Sequence, residues 1–229
     1  MSAIFEWSCT GSVTIPTDDT ELSLRDRIAF NDSLITISKS IIENGDLILR
    51  TGTDFSSEEV KTISPSDKTY SHAGIAVKDG HGLFIYHIEP DYYHIHDKVR
   101  KESIDTFANP ANNYGFAIAR YDLDDIQRHA FINYVEQQYK KRIAFDMSFD
   151  LKSNDSMYCS EMIRKGLAQA TSNRVIIPTL FFKDRSKLKI FKQYLHLPEQ
   201  QIMNKEIIPI DHLFLNPYCT VLKRYVFYR

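Results

Sequence analysis

The sequence has little of what marks several common classes of protein. Three cysteines in 229 residues, at positions 9, 159 and 219, are too few and too scattered for a disulfide framework, and their odd number leaves at least one thiol free. No apolar run reaches the roughly 20 residues that a membrane-spanning helix needs. The formal charge of -2 creates no field that would attract nucleic acid. We therefore expect a reducing compartment, no transmembrane segment and no nucleic-acid partner.

We also expect no ordinary export signal at the beginning of the chain. The opening residues, MSAIFEWSCTGSV, contain neither a basic leader nor an apolar core of the kind that directs secretion. The expected location is the cytoplasm of the producing cell, or a target periplasm reached by a non-classical route such as contact-dependent secretion. We expect one domain over residues 1–229, with a core at about 44–175 and with residues 1–43 and 176–229 packed on it as extensions.

Five segments rich in β-branched and aromatic residues, bounded by Gly, Asn, Asp or Pro, predict strands. They are GDLILR (45–50), SHAGIAVK (71–78), LFIYHIE (83–89), YYHIHDKV (92–99) and GFAIARY (115–121). A last strand is predicted in CTVLKRYVFY near the C-terminus. Because the strands come before the main helices, the pattern favours an α+β domain with a mainly antiparallel sheet.

Apolar residues at helical spacing predict four helices, the first of them near residues 22–42. The second begins at Asp124 or Asp125, and its predicted inward face is Ile126, Ala130, Phe131, Tyr134 and Val135. The third begins near Cys159, and its predicted inward face is Met162, Ile163, Gly166, Leu167 and Ala170. Residues 183–197 predict a basic amphipathic helix with a solvated outer face.

The second and third strands form a predicted hairpin whose register decides which residue lies beside His72. A two-residue turn at Asp79 and Gly80 pairs His72 with His87. A four-residue loop that ends at Gly82 pairs His72 with Glu89 instead. The small residues Gly74 and Ala76 lie on the same predicted face as His72, where they leave room for another element to approach.

We expect that element to be the helix that opens at Cys159. A thiol at a helix N-terminus feels the positive end of the macrodipole, and a neighbouring imidazolium lowers its pKa further. A Cys159–His72 pair is therefore a candidate nucleophile and base, with backbone N–H groups around Cys159 to stabilise an oxyanion. Sequence spacing alone does not bring these two residues together.

The motifs in combination resemble one known family. The order GDLIL, SHAGIAV, FDMSFD and YCSEMI over residues 45–170 is similar to the circularly permuted papain-like amidases, a branch of the NlpC-type cysteine hydrolases. The resemblance implies an antiparallel sheet packed against helices, with the nucleophile at a helix N-terminus. It also implies Cys159 as nucleophile, His72 as base and His87 as the residue that orients the base.

The resemblance leaves the third role open, because many relatives have Glu at that position and this chain has Glu89 two residues beyond His87. Asp146 and Asp150 match acidic positions of the family and are candidates to line the substrate cleft, with loop and cap structure as the alternative. Tyr158, next to the nucleophile, is a further cleft candidate, with core packing as its alternative.

The function that the resemblance implies is a cysteine hydrolase that cleaves an amide bond through a thioacyl intermediate. Peptidoglycan stem peptides are the expected substrate, and an injected antibacterial effector with an immunity protein as partner is one hypothesis. The same Cys–His site in a lipid or N-acyl hydrolase or acyltransferase is an alternative. It predicts an apolar groove beside Cys159, with Tyr92 and Tyr93 as candidates to line it.

A metal-binding module is the alternative from another class. His94 and His96 share a predicted strand face, and His81 and His87 lie nearby in the sequence. No cysteine or carboxylate has convincing ligand spacing, so neither a metal nor another cofactor is expected.

Overall fold

A six-stranded antiparallel sheet lies at the centre of the structure, a computed structural model that describes residues 23–90, 98–182, 199–203 and 205–229. Its strands are β1 (Leu47–Gly52), β2 (His72–Asp79), β3 (Gly82–His87), β4 (Arg100–Ser103), β5 (Asn113–Tyr121) and β10 (Cys219–Val226). They lie side by side in the order β10-β5-β1-β2-β3-β4, and each neighbouring pair is antiparallel. The C-terminal strand is therefore part of the same sheet as the SHAG and GDLIL strands.

Helices and two small strand pairs surround this sheet. The helices are α1 (Leu24–Ile41), α2 (Phe55–Ile63), α3 (Ile104–Phe107), α4 (Asp125–Lys141), α5 (Cys159–Ala170), α6 (Glu199–Met203) and α7 (Ile210–Phe214). The small pairs join β6 (Ala144–Phe145) to β7 (Ser156–Met157), and β8 (Leu180–Phe181) to β9 (Glu206–Ile207). This architecture confirms the predicted α+β class with a mainly antiparallel sheet.

The two faces of the sheet pack against different helices. In β2, Ala73, Ile75 and Val77 belong to the core that contains the buried residues of α4 and α5. Ala76 belongs to the core on the opposite face, together with Leu34 of α1 and with Ile104 and Phe107 of α3. Because side chains alternate along a strand, the odd-numbered and even-numbered residues of β2 face these two cores.

Helices α4 and α5 cross closely because α5 carries Gly166 at the contact. A Cβ atom at this position would lie 2.8 Å from ring atoms of Phe131 and of Tyr134 on α4. Three residues of the predicted inward face of α4 are buried, whereas Ile126 in its first turn is 84% exposed. The prediction for Ile126 was wrong, since its position near the start of the helix lies beyond the part that covers the sheet.

Several predicted elements differ from the structure or lie outside it. Residues 91–97, most of the predicted fourth strand, and the predicted helix at 183–197 lie outside the described residues. Helix α2 was missed, although Asp54 caps it by accepting a hydrogen bond from the backbone N–H of Ser57. Within the described ranges, no helix combines the length and the apolar character needed to cross a membrane. One domain over the whole chain stays a prediction.

Candidate functional site

Cys159 is the first residue of α5 and lies at the point where an extended chain turns into a helix. Tyr158 before it is extended, with φ of -102° and ψ of 170°, and its carbonyl accepts the N–H of Met162 to begin the helical pattern. Glu161, fully buried and paired with Lys165, accepts the Tyr158 N–H at 3.3 Å. The sequence motif YCSE thus encodes both the extended residue and the support of the first helical turn.

The Cys159 thiol is buried, and its surroundings favour the protonated form. Burial raises the pKa of Cys159 to about 11, while hydrogen bonds from the backbone of Ser160 and Ala73 act in the opposite direction. Burial, with the positive charges of Arg50 and Arg100 nearby, lowers the pKa of His72 well below 6.5. Both shifts favour the neutral forms, a thiol and an imidazole, whereas the sequence predicted a thiolate beside an imidazolium.

Helix α5 reaches this region from the face of the sheet opposite to the predicted one. It packs on the face of Ala73, Ile75 and Val77, and not on the face of Gly74 and Ala76. His72 is the first residue of β2, so its ring lies at the end of the sheet, where elements from both faces meet. The prediction that small residues on the His72 face make room for α5 was wrong.

Gly74 instead makes room for His87. A Cβ atom at Gly74 would lie 3.0 Å from the Cβ of His87 and 2.5 Å from a methyl group of Ile85, which is closer than packed side chains allow. The glycine of the SHAG motif is therefore needed for the close approach of β3.

The register of the β2–β3 hairpin is the alternative one. Asp79 pairs with Gly82, and Lys78 with Leu83, so that the turn consists of Gly80 and His81. The Asp79 carboxylate accepts the N–H of His81 at 2.8 Å, which stabilises this turn. Continued along the strands, the register puts Gly74 opposite His87 and His72 opposite Glu89. The count that paired His72 directly with His87 was wrong, because the side chain of Asp79 closes the turn one residue later.

His87 nevertheless makes the direct hydrogen bond to His72. His72 Nε2 lies 3.0 Å from His87 Nδ1, and the two rings are at right angles with centroids 5.1 Å apart. His87 is fully buried, and the ring of Phe107 in α3 packs against both imidazoles. The contact is a diagonal one between neighbouring strands, which is within reach of long side chains.

Glu89, the alternative third residue, is near His72 but is held by arginines. Its Oε2 atom lies 3.8 Å from His72 Nε2, too far for a hydrogen bond. The same carboxylate pairs with Arg50 from β1 and, at 3.1 Å, with Arg100 from β4. Glu89 therefore balances two guanidinium charges beside the site.

Glu102 completes a chain of side chains that sequence reasoning missed. Its Oε2 atom lies 3.2 Å from His87 Nε2, without the straight alignment of a full hydrogen bond. This contact with His87 is the main cause that lowers the pKa of Glu102, so its carboxylate is charged at neutral pH. A charged carboxylate favours the proton on Nε2 of His87, which leaves His87 Nδ1 as an acceptor.

The proton positions of both rings then follow from this chain. If His87 Nδ1 accepts, His72 must donate from Nε2, because one nitrogen of the pair carries the proton. The Nδ1 atom of neutral His72 is then left without a proton. This is the tautomer that a base acting through Nδ1 needs.

A cavity of about 380 Å³ lies beside these residues, with His72 and Cys159 both in its wall. Tyr158 also lines it, whereas Asp146 and Asp150 are not among its lining residues. Contact of any of the three with a substrate stays a prediction. Much of the remaining wall is apolar and includes Val60, Ile63, Phe145, Met147, Phe149 and Ile210. The candidate site is therefore a largely apolar compartment with the thiol and imidazole at one part of its wall.

Asp146 organises the loop that provides part of this wall. Its buried carboxylate accepts the N–H and Oγ–H of Ser148 at 2.8 and 2.6 Å, and the N–H of Asp150 at 2.5 Å. Asp150 itself is exposed and accepts the Lys152 N–H. Between them, Phe149 has a positive φ of 51°, which is unusual for a bulky residue. Asp146 thus has the loop-forming role that was its alternative interpretation.

The residues on either side of Cys159 hold another part of the wall, the segment of Ile208. Tyr158 accepts the backbone N–H of Ile208 with its hydroxyl at 3.0 Å, and the Ser160 hydroxyl donates to the Ile208 carbonyl at 2.7 Å. Both backbone polar groups of Ile208 are thereby fixed to the start of α5. This wall was missed because no local sequence signal links residues about 50 positions apart.

His72, His87 and Glu89 are also the one group of three metal-type ligands in the described part of the chain. Their ligand atoms all lie within 4.8 Å of one another. Two imidazoles and a carboxylate are donors that zinc accepts. However, Glu89 already binds two guanidinium groups, which a metal ion would have to displace, so the group does not fit a resident metal. His94 and His96 lie outside the described residues, and His81 is exposed in the hairpin turn.

A cysteine at a helix N-terminus that shares one cavity with a histidine of an antiparallel sheet is the arrangement of papain-like cysteine hydrolases. The family model of the permuted papain-like amidase enzymes, YaeF/YiiX, C92 family, matches residues 41–207. The chain belongs to this family, and is thus a papain-like hydrolase of the cysteine amidase type.

The comparison with solved structures supports the fold. The crystal structure of metalloprotein YiiX from Escherichia coli O157:H7 is similar with a TM-score of 0.62 at 19% sequence identity. The alignment covers 80% of this chain and 97% of YiiX. No curated protein matches in sequence.

Proposed function

We propose that the protein hydrolyses an amide bond, with Cys159 as nucleophile, His72 as general base and acid, and His87 as the residue that orients His72. The observation that carries this proposal is the chain of contacts from Glu102 through His87 to His72, which lies with Cys159 in the wall of one cavity. The tautomer inferred from this chain has no proton on His72 Nδ1. Membership of the amidase family supports the reaction class.

The reaction begins from the neutral pair. As the Cys159 sulfur bonds to the substrate carbonyl carbon, its proton moves to His72 Nδ1, and the carbonyl oxygen becomes an oxyanion. Backbone N–H groups at the start of α5 are the donors available to that oxyanion. His72 then gives its proton to the amine nitrogen as the C–N bond breaks, which leaves a thioester on Cys159.

Hydrolysis of the thioester repeats these steps with water. His72 Nδ1 removes a proton from water as the oxygen attacks the thioester carbon, and the same proton returns to the sulfur when the acid leaves. The imidazolium formed transiently on His72 is stabilised through the chain of His87 and the charged Glu102. The neutral resting pair makes proton transfer part of the attack, and no preformed thiolate is required.

Peptidoglycan stem peptides remain the first natural substrate to test. Action on the wall of a competing cell requires export, and a producer would then need an immunity protein. Detection of activity only on an intracellular substrate would count against this effector hypothesis. The alternative N-acyl or lipid substrate is favoured by one specific observation, the apolar cavity beside Cys159.

The metal-binding alternative is tested separately. YiiX is described as a metalloprotein, and the group of His72, His87 and Glu89 is the corresponding candidate here. Metal analysis of protein purified without chelators distinguishes it from the hydrolase. Stoichiometric metal that is lost in His87→Ala and Glu89→Ala variants would favour a metal site, and its absence would favour the Cys–His hydrolase.

The experiment that tests the proposal is amide hydrolysis by reduced protein, measured by mass spectrometry on purified peptidoglycan and on a panel of N-acyl amino acids. We expect the Cys159→Ala variant to be inactive. Cys219→Ala is its matched control, because Cys219 is the other described free thiol. Products from the wild type and Cys219→Ala alone support the proposal. Equal products from Cys159→Ala would refute the role of Cys159.

A further inference from the structure

We infer that Arg50 is a positioning residue, which decides whether His87 or Glu89 orients the base His72. This inference rests on the proposed function and adds a residue to the same site. Arg50 holds one oxygen of the Glu89 carboxylate, and His87 makes the hydrogen bond to His72. Without Arg50, that oxygen would bond to His72 in place of His87.

Arg50 and Glu89 lie on either side of His72 in the sheet. Arg50 of β1 is the cross-strand partner of His72, and the register of β2 and β3, continued along the strands, puts Glu89 opposite His72 on the other side. Side chains of such partners share one face of a sheet, with Cβ atoms about 5 Å apart. The ion pair of Arg50 with Glu89 therefore spans the strand that carries His72, and all three residues line the cavity of Cys159.

The two oxygen atoms of the Glu89 carboxylate have different partners. Oε1 accepts a hydrogen bond from Arg100 at 3.1 Å, and Oε2 accepts one from Arg50. Oε2 is also the atom that lies 3.8 Å from His72 Nε2, about 1 Å longer than a usual N–H···O hydrogen bond. Arg50 thus binds the oxygen that a small movement would bring to His72, while Arg100 holds the other oxygen in place.

The guanidinium group of Arg50 has anchors other than Glu89. It donates to Oδ1 of Asn113 on β5 at 3.1 Å, and its central carbon lies 5.1 Å from the centre of the Phe107 ring. Asn113 is buried, and its amide nitrogen donates to the carbonyls of Phe107 and Asn109 at 3.3 and 2.9 Å. Arg50 is therefore fixed from the side of β5, and Glu89 binds a cation whose position is already set.

His87 and Glu89 compete for one proton. In the tautomer inferred above, His72 Nε2 carries a single proton, which has one strong acceptor. His87 Nδ1 is a neutral acceptor, whereas hydrogen bonds to a carboxylate are roughly twice as strong as those between neutral groups. A Glu89 oxygen released by Arg50 would therefore replace His87 as the partner of His72. Arg50 prevents this exchange because it satisfies that oxygen.

The kinetic test compares the effects of His87→Ala and Glu89→Ala in the wild-type background and in Arg50→Met. The probe is p-nitrophenyl acetate, and the rate is the release of p-nitrophenol that depends on Cys159. In the wild-type background, His87→Ala should lower the rate about 100-fold and Glu89→Ala about tenfold or less. In Arg50→Met this order should reverse. Arg100→Met is the matched control, because Arg100 binds the other oxygen of Glu89, and it should keep the wild-type order.

A second measurement needs no substrate. In isotope-labelled protein, NMR detects the nitrogen–nitrogen coupling across the hydrogen bond from His72 Nε2 to His87 Nδ1. This coupling should be present in the wild type and in Arg100→Met, and lost in Arg50→Met. It should return when Glu89→Ala is added to Arg50→Met, because the competing acceptor is then removed. A purely structural role of Arg50 would not be repaired by the loss of Glu89.

Thermal melting shows which variants are folded. Arg50→Gln is a second variant for both measurements, because its side-chain amide can still donate to Asn113 but has no charge to hold Glu89. It should give the same reversed order and the same loss of coupling as Arg50→Met.

The outcomes separate this inference from the proposed function. The wild-type order of effects in a folded Arg50 variant, or a coupling that persists there, would overturn the role of Arg50 and leave the hydrolase intact. Equal release of p-nitrophenol by the wild type and Cys159→Ala would contradict the proposed function instead. Loss and return of the coupling would then still support the competition between Glu89 and His87, and its persistence would still overturn it.

Discussion

The Nε2 atom of His72 lies 3.0 Å from the Nδ1 atom of His87, although the strand register puts Glu89, and not His87, opposite His72. Glu89 is the cross-strand neighbour, yet it is turned to Arg50 and Arg100. The cross-strand position next to His72 and the hydrogen bond to His72 thus belong to two different residues. This division makes distinct predictions for their removal.

His87→Ala should reduce kcat about 100-fold, because His72 then loses the acceptor that sets its tautomer. Glu89→Ala should have a smaller effect, about tenfold or less, since it leaves the His72–His87 bond in place and removes only a carboxylate 3.8 Å away. Steady-state kinetics on one amide substrate checks both variants. The opposite order of effects would assign the orienting role to Glu89.

Glu102 should act as a positioning residue through His87. Glu102→Ala should lower kcat about tenfold, or about 1.4 kcal/mol in the barrier, with little change in KM. Glu102→Gln keeps an oxygen acceptor and should recover part of the loss. The nitrogen NMR shifts of the imidazole rings report which nitrogen of His87 carries the proton. The population with the proton on Nε2 should decrease in Glu102→Ala, and a purely structural role of Glu102 would leave it unchanged. Unchanged tautomers in that variant would contradict the account.

The pH profile should extend to unusually low pH. As the proposed base, His72 acts only when neutral, and its pKa is lowered well below 6.5, mainly by burial. Protonation of His72 therefore removes activity only well below pH 6.5. The value of kcat/KM should be nearly constant from neutral pH down to pH 6.5. The pKa of Cys159, raised to about 11, also predicts no thiolate absorbance at neutral pH in the wild type compared with Cys159→Ala. A midpoint near 6.5 would indicate a solvated imidazole instead, and a midpoint above 6.5 would indicate an imidazolium stabilised by a negative charge.

Alanine variants of Asp146 and Asp150, two acidic residues of the same FDMSFD motif, should differ sharply in their free energy of unfolding. Asp146→Ala removes a buried carboxylate with three hydrogen bonds and should lower the free energy of unfolding by about 2–3 kcal/mol. Asp150→Ala changes an exposed side chain and should stay within about 0.5 kcal/mol. Urea unfolding measures both. Equal stability of the two variants would show that the Asp146 carboxylate does not hold the loop.

Much of the fold and two positions of the site follow from the sequence for local reasons. The YCSE motif predicts a helix start at Cys159, and alternating β-branched residues predict strands beside His72. The register of the hairpin was harder to predict, because the turn depends on one hydrogen bond of the Asp79 side chain. The sequence alone allowed a pairing of His72 with His87 or with Glu89. The face on which α5 packs was predicted wrongly, since alternation defines two faces without saying which helix covers each.

The other parts of the site depend on contacts between distant segments. Glu102 meets His87 only because β4 pairs with β3, and the short RKES segment has no strand signal of its own. The Ile208 wall is fixed by Tyr158 and Ser160 across about 50 residues. The apolar groove that the N-acyl alternative predicted is present, yet its described lining comes from α2, the Asp146 loop and this wall. Tyr92 and Tyr93 lie outside the described residues.

The most direct test of the central claim is to trap the thioacyl intermediate. The wild type, Cys159→Ala and Cys219→Ala are mixed with p-nitrophenyl acetate, quenched in acid and digested for peptide mass spectrometry. If Cys159 is the nucleophile, one acetyl group is expected on the peptide of Cys159 in the wild type and in Cys219→Ala, and none in Cys159→Ala. Acetylation of Cys219 alone, or equal release of p-nitrophenol by Cys159→Ala, would contradict the assignment of Cys159 as the nucleophile.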